Sequence, residues 1–364
     1  MKIPQTKPFM DEEMIQAAAN ALRNERMVMG ESVHKFEEEF ARFIGTKHAI
    51  AVSSGTAALQ LALIASKVQG KDVITTPLSF IATANAVIQA GATPRFADAR
   101  ESDYNIDPDQ VRSLVEDKTA AILPVHLYCQ PSEMDPLIEI CQKKSLKLIE
   151  DAAQAHGSIY KGKRIGSIGD AGCFSFYATK NMTVGGDGGM ITTNDDELAK
   201  EVGKLRDCGR ASRYIHDVVG FTDRLNTCNA AIGRIQLKHL ESWNERRRAI
   251  AGRYSQELIG LKEIVTPPLA SKDIIPVFHL YVIWTKRRDE LASYLAEKGV
   301  DTASHYVVPI HLQPVYMQMY GYKKGSYPVS ERLSAGVLSL PMFPQMKDEE
   351  VAYVCEQIRG FFGG

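Results

Sequence analysis

The stretch GDAGCFSFYATKNMTVGGDGGMITT, residues 169–193, places one lysine between two short apolar runs. The runs AGCFSFY and GGMITT are rich in β-branched and aromatic residues, which predicts two strands. Lys180 lies between them, and four glycines follow it. It does not belong to a phosphate-binding loop, because the pattern GxxxxGK[ST] is absent and the glycines come after the lysine. Two interpretations stay open, a surface lysine after a turn and a lysine that bonds covalently to a carbonyl compound.

Short apolar runs also alternate with helix-length segments through the preceding part of the chain. The helix-length segments include residues 56–68, 80–91 and 133–144, and the strand-like runs are HAIAVSS, DVITTP, TPRFADA, TAAILPVHL and LKLIEDAA. This alternation predicts an α/β fold with a mostly parallel central sheet covered on both faces. A long predicted helix then leads to a smaller α/β unit, so we predict a large domain over residues 1–250 and a small domain over residues 251–364.

Composition excludes several classes of protein. The 364 residues carry a formal net charge of -1, with 45% apolar and 24% charged residues, which is typical of a soluble globular protein and argues against nucleic-acid or membrane partners. The six cysteines form no CxxC pair. Neither a secretory start nor an apolar run of about 18 residues is present. These features predict a cytoplasmic protein with reduced thiols and no metal site.

A second motif, VSSGTAAL at residues 52–59, leaves a predicted strand and enters a predicted helix. Unpaired N–H groups and the positive end of the helix dipole favour phosphate at such a place, and the hydroxyl of Thr56 adds a donor beside Gly55. Serine and threonine are also common helix caps, which is the ordinary explanation for this run in isolation.

A third motif, KLIEDAAQAHG at residues 147–157, ends a buried strand at Asp151. The carboxyl ends of strands in an open parallel sheet face the ligand crevice, so Asp151 is well placed to contact a ligand. A helix cap is the alternative. A metal site with His156 is disfavoured because no further ligands follow at suitable spacing.

An amine and a carboxylate at neighbouring strand ends, near a phosphate site, predict a binding site for pyridoxal phosphate. Lys180 would bond to the cofactor aldehyde as an unprotonated amine. Asp151 would keep the pyridine nitrogen protonated, which makes the ring an electron sink. Gly55, Thr56 and Ser175 would hold the phosphate.

An aromatic residue and a basic run each have a structural interpretation beside a functional one. Phe80, in PLSFIATA, is expected to stack on the cofactor ring, although an aromatic residue at a strand–helix junction is more often core. The basic run Arg246, Arg247 and Arg248 in the long helix is interpreted as a solvated face.

The chain resembles the DegT/StrS family of sugar aminotransferases, a branch of the fold-type-I enzymes that use pyridoxal phosphate. The likeness spans nearly the whole chain and is carried, in order, by the runs VSSGTAAL, LSFIATANAVIQAGATPRFAD, IEDAAQAHG, GDAGCFSFYATKNMTVGGDGGMITT, AAIGRIQL and HYVVPIHLQPVY. It implies a three-layer fold, a homodimer with shared active sites, glutamate or a similar amino donor, and a nucleotide-linked keto-sugar as acceptor.

The same resemblance implies roles for single residues. Lys180 would bind the cofactor covalently, Asp151 would pair with the pyridine nitrogen, Gln154 would lie beside the ring and Ser175 would bind phosphate. The residues expected to contact the sugar nucleotide are Gly30, Arg224, His305 and Tyr306.

The sequence departs from the family pattern at two places. In GFTDR the family commonly has asparagine where this chain has Thr222, which weakens the expected contact to the partner's phosphate. In HLYCQP, Cys129 replaces the usual glycine, and we interpret it as a small buried hydrophobe rather than a reactive thiol.

The pair Gln154 and His156 resembles the branch of the family that aminates 3-keto-sugars. The alternatives are that His156 only packs behind the cofactor and that the enzyme aminates a 4-keto-sugar. A related dehydratase is disfavoured because that relative has histidine in place of Lys180. A non-catalytic regulator that binds a sugar nucleotide is disfavoured by the complete set of cofactor residues.

Overall fold

The computed structural model describes residues 1–363. The strands are β1 His48–Val52, β2 Asp72–Thr75, β3 Thr93–Phe96, β4 Thr119–Ile122, β5 Lys147–Asp151, β6 Ile159–Tyr160, β7 Lys163–Arg164, β8 Ala171–Ser175, β9 Gly189–Thr193, β10 Ile274–Ile275, β11 Tyr281–Trp284 and β12 Val337–Leu340. The helices are α1 Glu12–Asn24, α2 Glu31–Ile44, α3 Gly55–Ala65, α4 Ala82–Gln89, α5 Pro108–Leu114, α6 Met134–Lys144, α7 Asp196–Leu205, α8 Thr227–Leu258, α9 Arg288–Glu297, α10 Pro314–Tyr320, α11 Pro328–Gly336 and α12 Asp348–Phe362. Short 3₁₀ turns cover Leu127–Cys129 and Ile310–Leu312.

Seven strands form the central sheet in the order β1-β9-β8-β5-β4-β2-β3. Strands β3, β2, β4, β5 and β8 run parallel, whereas β9 is antiparallel to both of its neighbours. Helices α4, α5 and α6 connect β2 to β3, β3 to β4 and β4 to β5, whereas the connection from β5 to β8 contains the short strands β6 and β7. The predicted α/β class with a mostly parallel sheet is therefore confirmed.

Side chains alternate along each strand, and apolar side chains point to both faces of this sheet. Helices cover both faces. On one face, Phe174 and Phe176 pack against Phe36 and Phe40 of α2, with ring centroids 5.0 Å apart for Phe40 and Phe174. Cys173 points to the opposite face and joins a separate apolar cluster with α3. The result is a three-layer arrangement of helix, sheet and helix.

The register of β5 and β8 sets the position of the functional end of the sheet. Asp151 lies opposite Cys173, and Ser175 lies two residues further along β8. Since both strands run in the same direction, Asp151, Ser175 and the loop that follows β8 reach the same edge.

The C-terminal part of the chain has its own apolar core. Strands β11 and β12 pair antiparallel, and α9, α12 and the last turns of α8 close around residues such as Tyr254, Tyr281 and Leu340. Helix α8 passes through residue 250 without a break. The division into residues 1–250 and 251–364 stays a prediction.

The interpretation of the basic run in α8 as a solvated face is wrong for Arg247. This residue is 3% exposed, and its Nη1 lies 3.2 Å from each of the carbonyl oxygens of Phe278, His279 and Met342. Arg246 and Arg248 do lie at the surface, where they pair with acidic side chains. The three carbonyl acceptors come from segments distant in sequence, so helical periodicity alone does not reveal the burial of Arg247.

Candidate active site

A cavity of about 410 Å³ opens at the carboxyl ends of β5 and β8. It brings together nine of the residues that the sequence analysis selected, namely Gly55, Thr56, Phe80, Asp151, Gln154, Ser175, Lys180, His305 and Tyr306. They come from four separate motifs and from the C-terminal part of the chain.

One end of the cavity is the N-terminus of α3. The Ser54 side chain caps the helix by accepting from Ala57 N at 3.1 Å, and within residues 1–363 the N–H groups of Gly55 and Thr56 have no acceptor. A Cβ atom at residue 55 would lie 2.6 Å from Cβ of Ser175, so glycine is needed for helix and strand to approach this closely. Free amides, the helix dipole and the nearby hydroxyls form a donor set that fits a phosphate.

Lys180 lines the same cavity and lies five residues after β8. Its main-chain N donates to the carbonyl oxygen of Tyr177 at 2.8 Å, which folds the loop back over the strand end. Burial lowers the pKa of the amine to about 8, and the negative charge of Asp151 opposes this shift only in part. The amine therefore loses its proton far more readily than a surface lysine, which suits a nucleophile.

Asp151 is buried and held in one orientation. Its Oδ2 accepts from the Thr83 hydroxyl at 2.8 Å, and its Oδ1 accepts from Ala153 N at 3.2 Å. Burial raises the pKa of this carboxyl, while both hydrogen bonds and the charge of Lys180 act in the opposite direction. A protonated ring nitrogen would compensate the buried carboxylate, so amine, carboxylate and phosphate cradle together fit pyridoxal phosphate.

Gln154 connects two parts of the cavity wall. Its Oε1 accepts from Tyr128 N at 2.7 Å, and its Nε2 donates to the Tyr306 hydroxyl oxygen at 3.2 Å. The Tyr128 hydroxyl in turn donates to the carbonyl oxygen of His305. These hydrogen bonds attach residues 305 and 306 to the edge of the large sheet beside Asp151.

Phe80 and Cys129, for which the sequence leaves two interpretations each, differ in exposure. Phe80 is 55% exposed, lines the cavity and packs against the Tyr306 ring at a centroid distance of 5.7 Å, so it is not plain core. Cys129 is buried, and burial raises the pKa of its thiol to about 12, which fits a small hydrophobe.

His156 does not line the cavity. It is fully buried, with its ring centroid 5.4 Å from that of Phe174 and 5.8 Å from that of Phe176. Burial lowers the pKa of this imidazole to about 3. His156 therefore packs behind the site and does not face the cavity, so any contact with the aminated sugar would have to come from other residues.

Gly30, Arg224 and Thr222 do not line this cavity, although the main chain of Arg224 pairs with Val52 at the start of the VSSGTAAL motif. Gly30 precedes α2 and donates its N–H to Thr227 Oγ1 at 3.1 Å. Arg224 Nη1 donates to Asp207 Oδ1 at 2.7 Å, and Thr222 is exposed. None of the three lines the cavity of a single chain, and their contact with the sugar nucleotide stays a prediction.

The sequence analysis missed several cavity residues, which are Ser79, Thr83, Tyr177, Asp187 and His279. Thr83 is the direct partner of Asp151, and its location in the first turn of a helix that follows a strand was the available signal. His279 lies in FHLYVIW, just before β11, within the smaller α/β unit to which the sequence assigned no site residue other than His305 and Tyr306. Its place in the cavity depends on how the C-terminal part packs on the sheet, and no local pattern encodes that.

Within residues 1–363, no helix combines the length and apolar character needed to cross a membrane. The longest, α8, carries charged residues along its whole length.

The model of the DegT/DnrJ/EryC1/StrS aminotransferase family matches residues 8–359. A dTDP-3-amino-3,4,6-trideoxy-alpha-D-glucose transaminase of Streptomyces venezuelae is 42% identical over 344 residues, which are 94% of this chain and 90% of the relative. A pleiotropic regulatory protein of Geobacillus stearothermophilus is 42% identical over 354 residues, which are 96% of this chain and 94% of that protein. The crystal structure of DesV of S. venezuelae in complex with a ketimine intermediate superposes with a TM-score of 0.95 at 40% identity, covering 99% of both chains.

Proposed function

Since the chain belongs to the DegT/DnrJ/EryC1/StrS aminotransferase family, we propose that it moves an amino group from glutamate to C3 of a nucleotide-linked keto-sugar. Membership of the family makes the protein a transaminase of fold type I that uses pyridoxal phosphate. The observation that carries the proposal is the single cavity that holds the Lys180 amine, the Asp151 carboxylate and the open amides of α3.

Pyridoxal phosphate, when bound, supplies an aldehyde that bonds to amines and a ring that withdraws electrons. Lys180 supplies the nucleophilic Nζ, and with a pKa of about 8 roughly a tenth of this amine is unprotonated at pH 7. Once free, the same Nζ takes up or returns a proton inside the cavity. Asp151 provides the negative charge that keeps a ring nitrogen protonated, and Thr83 fixes the direction of its carboxylate.

The remaining cofactor contacts follow from the shape of the cavity. The amides of Gly55 and Thr56 and the hydroxyl of Ser175 would hold the phosphate at the end of α3. Gln154 and Phe80 lie between that end and Tyr306, where they would contact the ring edge and face. Together these residues would hold the cofactor within reach of the Lys180 amine.

Amination at C3 is supported by the name of the S. venezuelae relative, a dTDP-3-amino sugar transaminase. The choice between neighbouring carbons depends on how the sugar is rotated in the cavity. His305 and Tyr306 form the wall that would set this rotation through hydrogen bonds to sugar hydroxyls.

A homodimer with shared sites would supply the charges that the cavity lacks. Among residues 1–363, Lys180 is the only lysine or arginine that lines it, although a nucleotide pyrophosphate and the carboxylates of glutamate call for cations. Arg224 of the partner subunit would supply one, beside Thr222 and Gly30 of the partner subunit. Glutamate is the donor that the family likeness implies, and the free thiols of all six cysteines suit a reducing compartment such as the cytoplasm.

The shared site can be tested by mixing two inactive chains. A Lys180→Ala chain and an Arg224→Ala chain would form heterodimers in which one of the two sites carries neither substitution. We expect the mixture to recover part of the wild-type rate after subunit exchange. A mixture that exchanges subunits yet stays inactive would refute shared sites.

The reaction itself is tested with purified enzyme, pyridoxal phosphate, glutamate and a panel of matched 3-keto and 4-keto sugar nucleotides. Mass spectrometry and NMR should identify a 3-amino sugar nucleotide, and Lys180→Ala should give none. Product from 4-keto compounds alone would overturn the C3 assignment. Binding of sugar nucleotides without turnover of any compound would favour a regulator, the second candidate suggested by the name of the G. stearothermophilus relative.

A further inference from the structure

A chain of buried side-chain amides ends at His279 in the cavity wall. Asn244 Nδ2 donates to the carbonyl oxygen of His156 at 2.8 Å, and Asn181 Nδ2 donates to Asn244 Oδ1 at 2.9 Å. Asn181 Nδ2 also donates to the carbonyl oxygen of Val277 at 3.2 Å. Asn181 Oδ1 then lies 3.2 Å from Nδ1 of His279. All three side chains are buried.

Main-chain carbonyls fix the direction of every bond in this chain. The carbonyl oxygen of His156 only accepts, so Asn244 must turn its NH₂ group toward it and its Oδ1 toward Asn181. Asn181 must then present its NH₂ group to Asn244 and Val277. Its Oδ1 therefore faces His279, and the proton of the neutral imidazole must lie on Nδ1.

The opposite ring nitrogen of His279 is an acceptor on the side of the cavity. Nε2 has no protein hydrogen-bond partner within residues 1–363, and the residue lines the cavity together with Lys180. A second proton on the ring is disfavoured because burial lowers the pKa of His279 well below its usual value. The charges of Lys180 and Arg247 act in the same direction, as do His305 and His156.

We propose that His279 is a fixed hydrogen-bond acceptor of the active site, whose Nε2 takes an N–H or O–H donor inside the cavity. Asn181 and Asn244 are positioning residues that act through the imidazole. The donor is either the Lys180 ammonium or a hydroxyl or ammonium group of the substrate. The assignment of the tautomer is independent of the reaction, whereas the choice of donor rests on the proposed function.

The first test measures the tautomer by NMR of the holoenzyme labelled with ¹⁵N in its histidine rings. His279→Gln identifies the two signals by their loss. We expect a protonated Nδ1, an unprotonated Nε2 and no titration through the neutral pH range. A protonated Nε2 overturns the proposal even if the enzyme is an aminotransferase of another substrate.

A second variant, Asn181→Asp, tests the same contact by favouring the protonated form of the His279 imidazole. In Asn181→Asp the carboxylate would stabilise the imidazolium, so both ring nitrogens should become protonated near neutral pH. Asn85→Asp serves as control, because that side chain accepts from the Tyr316 hydroxyl outside the cavity and should leave the His279 signals unchanged. Unchanged His279 signals in a folded Asn181→Asp protein would contradict the amide chain.

The identity of the donor is resolved by comparing His279→Leu with His279→Gln, whose amide oxygen can still accept. If Lys180 is the donor, the leucine variant shifts the pH midpoint of the cofactor absorbance change without substrate. If the substrate is the donor, that midpoint stays and KM rises roughly tenfold, with partial recovery in the glutamine variant. A folded leucine variant with both quantities at wild-type values refutes an acceptor role, and if it does not fold, the NMR result decides alone.

Discussion

The two walls of the cavity differ in how they are held. Lys180, Asp151 and Ser175 lie on or directly after adjacent parallel strands, whose register is fixed by main-chain hydrogen bonds. His305 and Tyr306, which form the second wall, belong to the C-terminal part of the chain and line the same cavity. The first wall, which we propose to bind the cofactor, is thus part of the sheet, whereas the second wall is attached to it by side chains.

Side-chain hydrogen bonds and apolar packing attach the second wall to the elements around the large sheet. The Tyr128 hydroxyl donates to the His305 carbonyl oxygen, and Gln154 Nε2 donates to the Tyr306 hydroxyl oxygen. Such bonds contribute only about 0.5–1.5 kcal/mol each, far less than a strand ladder. The difference suggests that the sheet wall determines whether chemistry occurs and that the second wall determines which acceptor is held.

The strongest test of the sheet wall is Lys180→Ala. Removing the nucleophilic amine should lower turnover by about 10⁴-fold or more, since no other lysine lines the cavity within residues 1–363. Steady-state assays with the identified substrate would measure the loss. Lys161→Ala, which removes only a surface ion pair with Asp135, is the control and should retain the wild-type rate. A Lys180→Ala enzyme with substantial turnover would assign the chemistry to another group.

Asp151→Asn should have the second largest effect, a loss of about 10²–10³-fold in kcat. The amide keeps the shape and an acceptor for Thr83, but it lacks the charge that holds a ring nitrogen protonated. Asp170→Asn is the matched control, because Asp170 lies at the opposite end of β5 and binds Lys147. Equal rates for the two variants would remove Asp151 from its proposed role.

The pH dependence of cofactor capture probes the same wall without a substitution. The unprotonated amine is the reacting form, and burial lowers the pKa of Lys180 to about 8. Capture of pyridoxal phosphate by the apoenzyme, followed by absorbance, should therefore slow about tenfold for each pH unit below pH 8 and level off above it. A rate that keeps rising to the pKa of an ordinary lysine would mean that the amine is solvated.

Tyr128→Phe tests the second wall and should have the smallest effect. Loss of the bond to the His305 carbonyl oxygen should raise KM for the sugar nucleotide about fivefold and leave the absorbance of the bound cofactor unchanged. Tyr104→Phe is the control, because the Tyr104 ring packs on Tyr128 while its hydroxyl has no protein partner within residues 1–363. A large loss of kcat in Tyr128→Phe would show that the second wall also affects the chemical step and not only the binding of the acceptor.

Sequence reasoning succeeded where local patterns determine structure. Strand ends such as Asp151 and helix starts such as Thr56 are encoded by neighbouring residues, and parallel strands bring such ends to one edge of a sheet. It failed where burial depends on segments distant in sequence. Arg247 was predicted to be solvated because of its basic neighbours, and His279 was not selected at all, although each is held by groups from other parts of the chain.

Helix α8 belongs to both apolar cores of the molecule. Ala230 and Leu240 pack in the core beneath the large sheet, whereas Ile250 and Tyr254 pack in the C-terminal core. Because this single helix of 32 residues packs in both cores, unfolding of one core removes part of the other. Heating should therefore give one cooperative unfolding transition rather than two. For the same reason, a fragment that begins at residue 251 would carry only the last two turns of its own supporting helix and should not remain folded after excision.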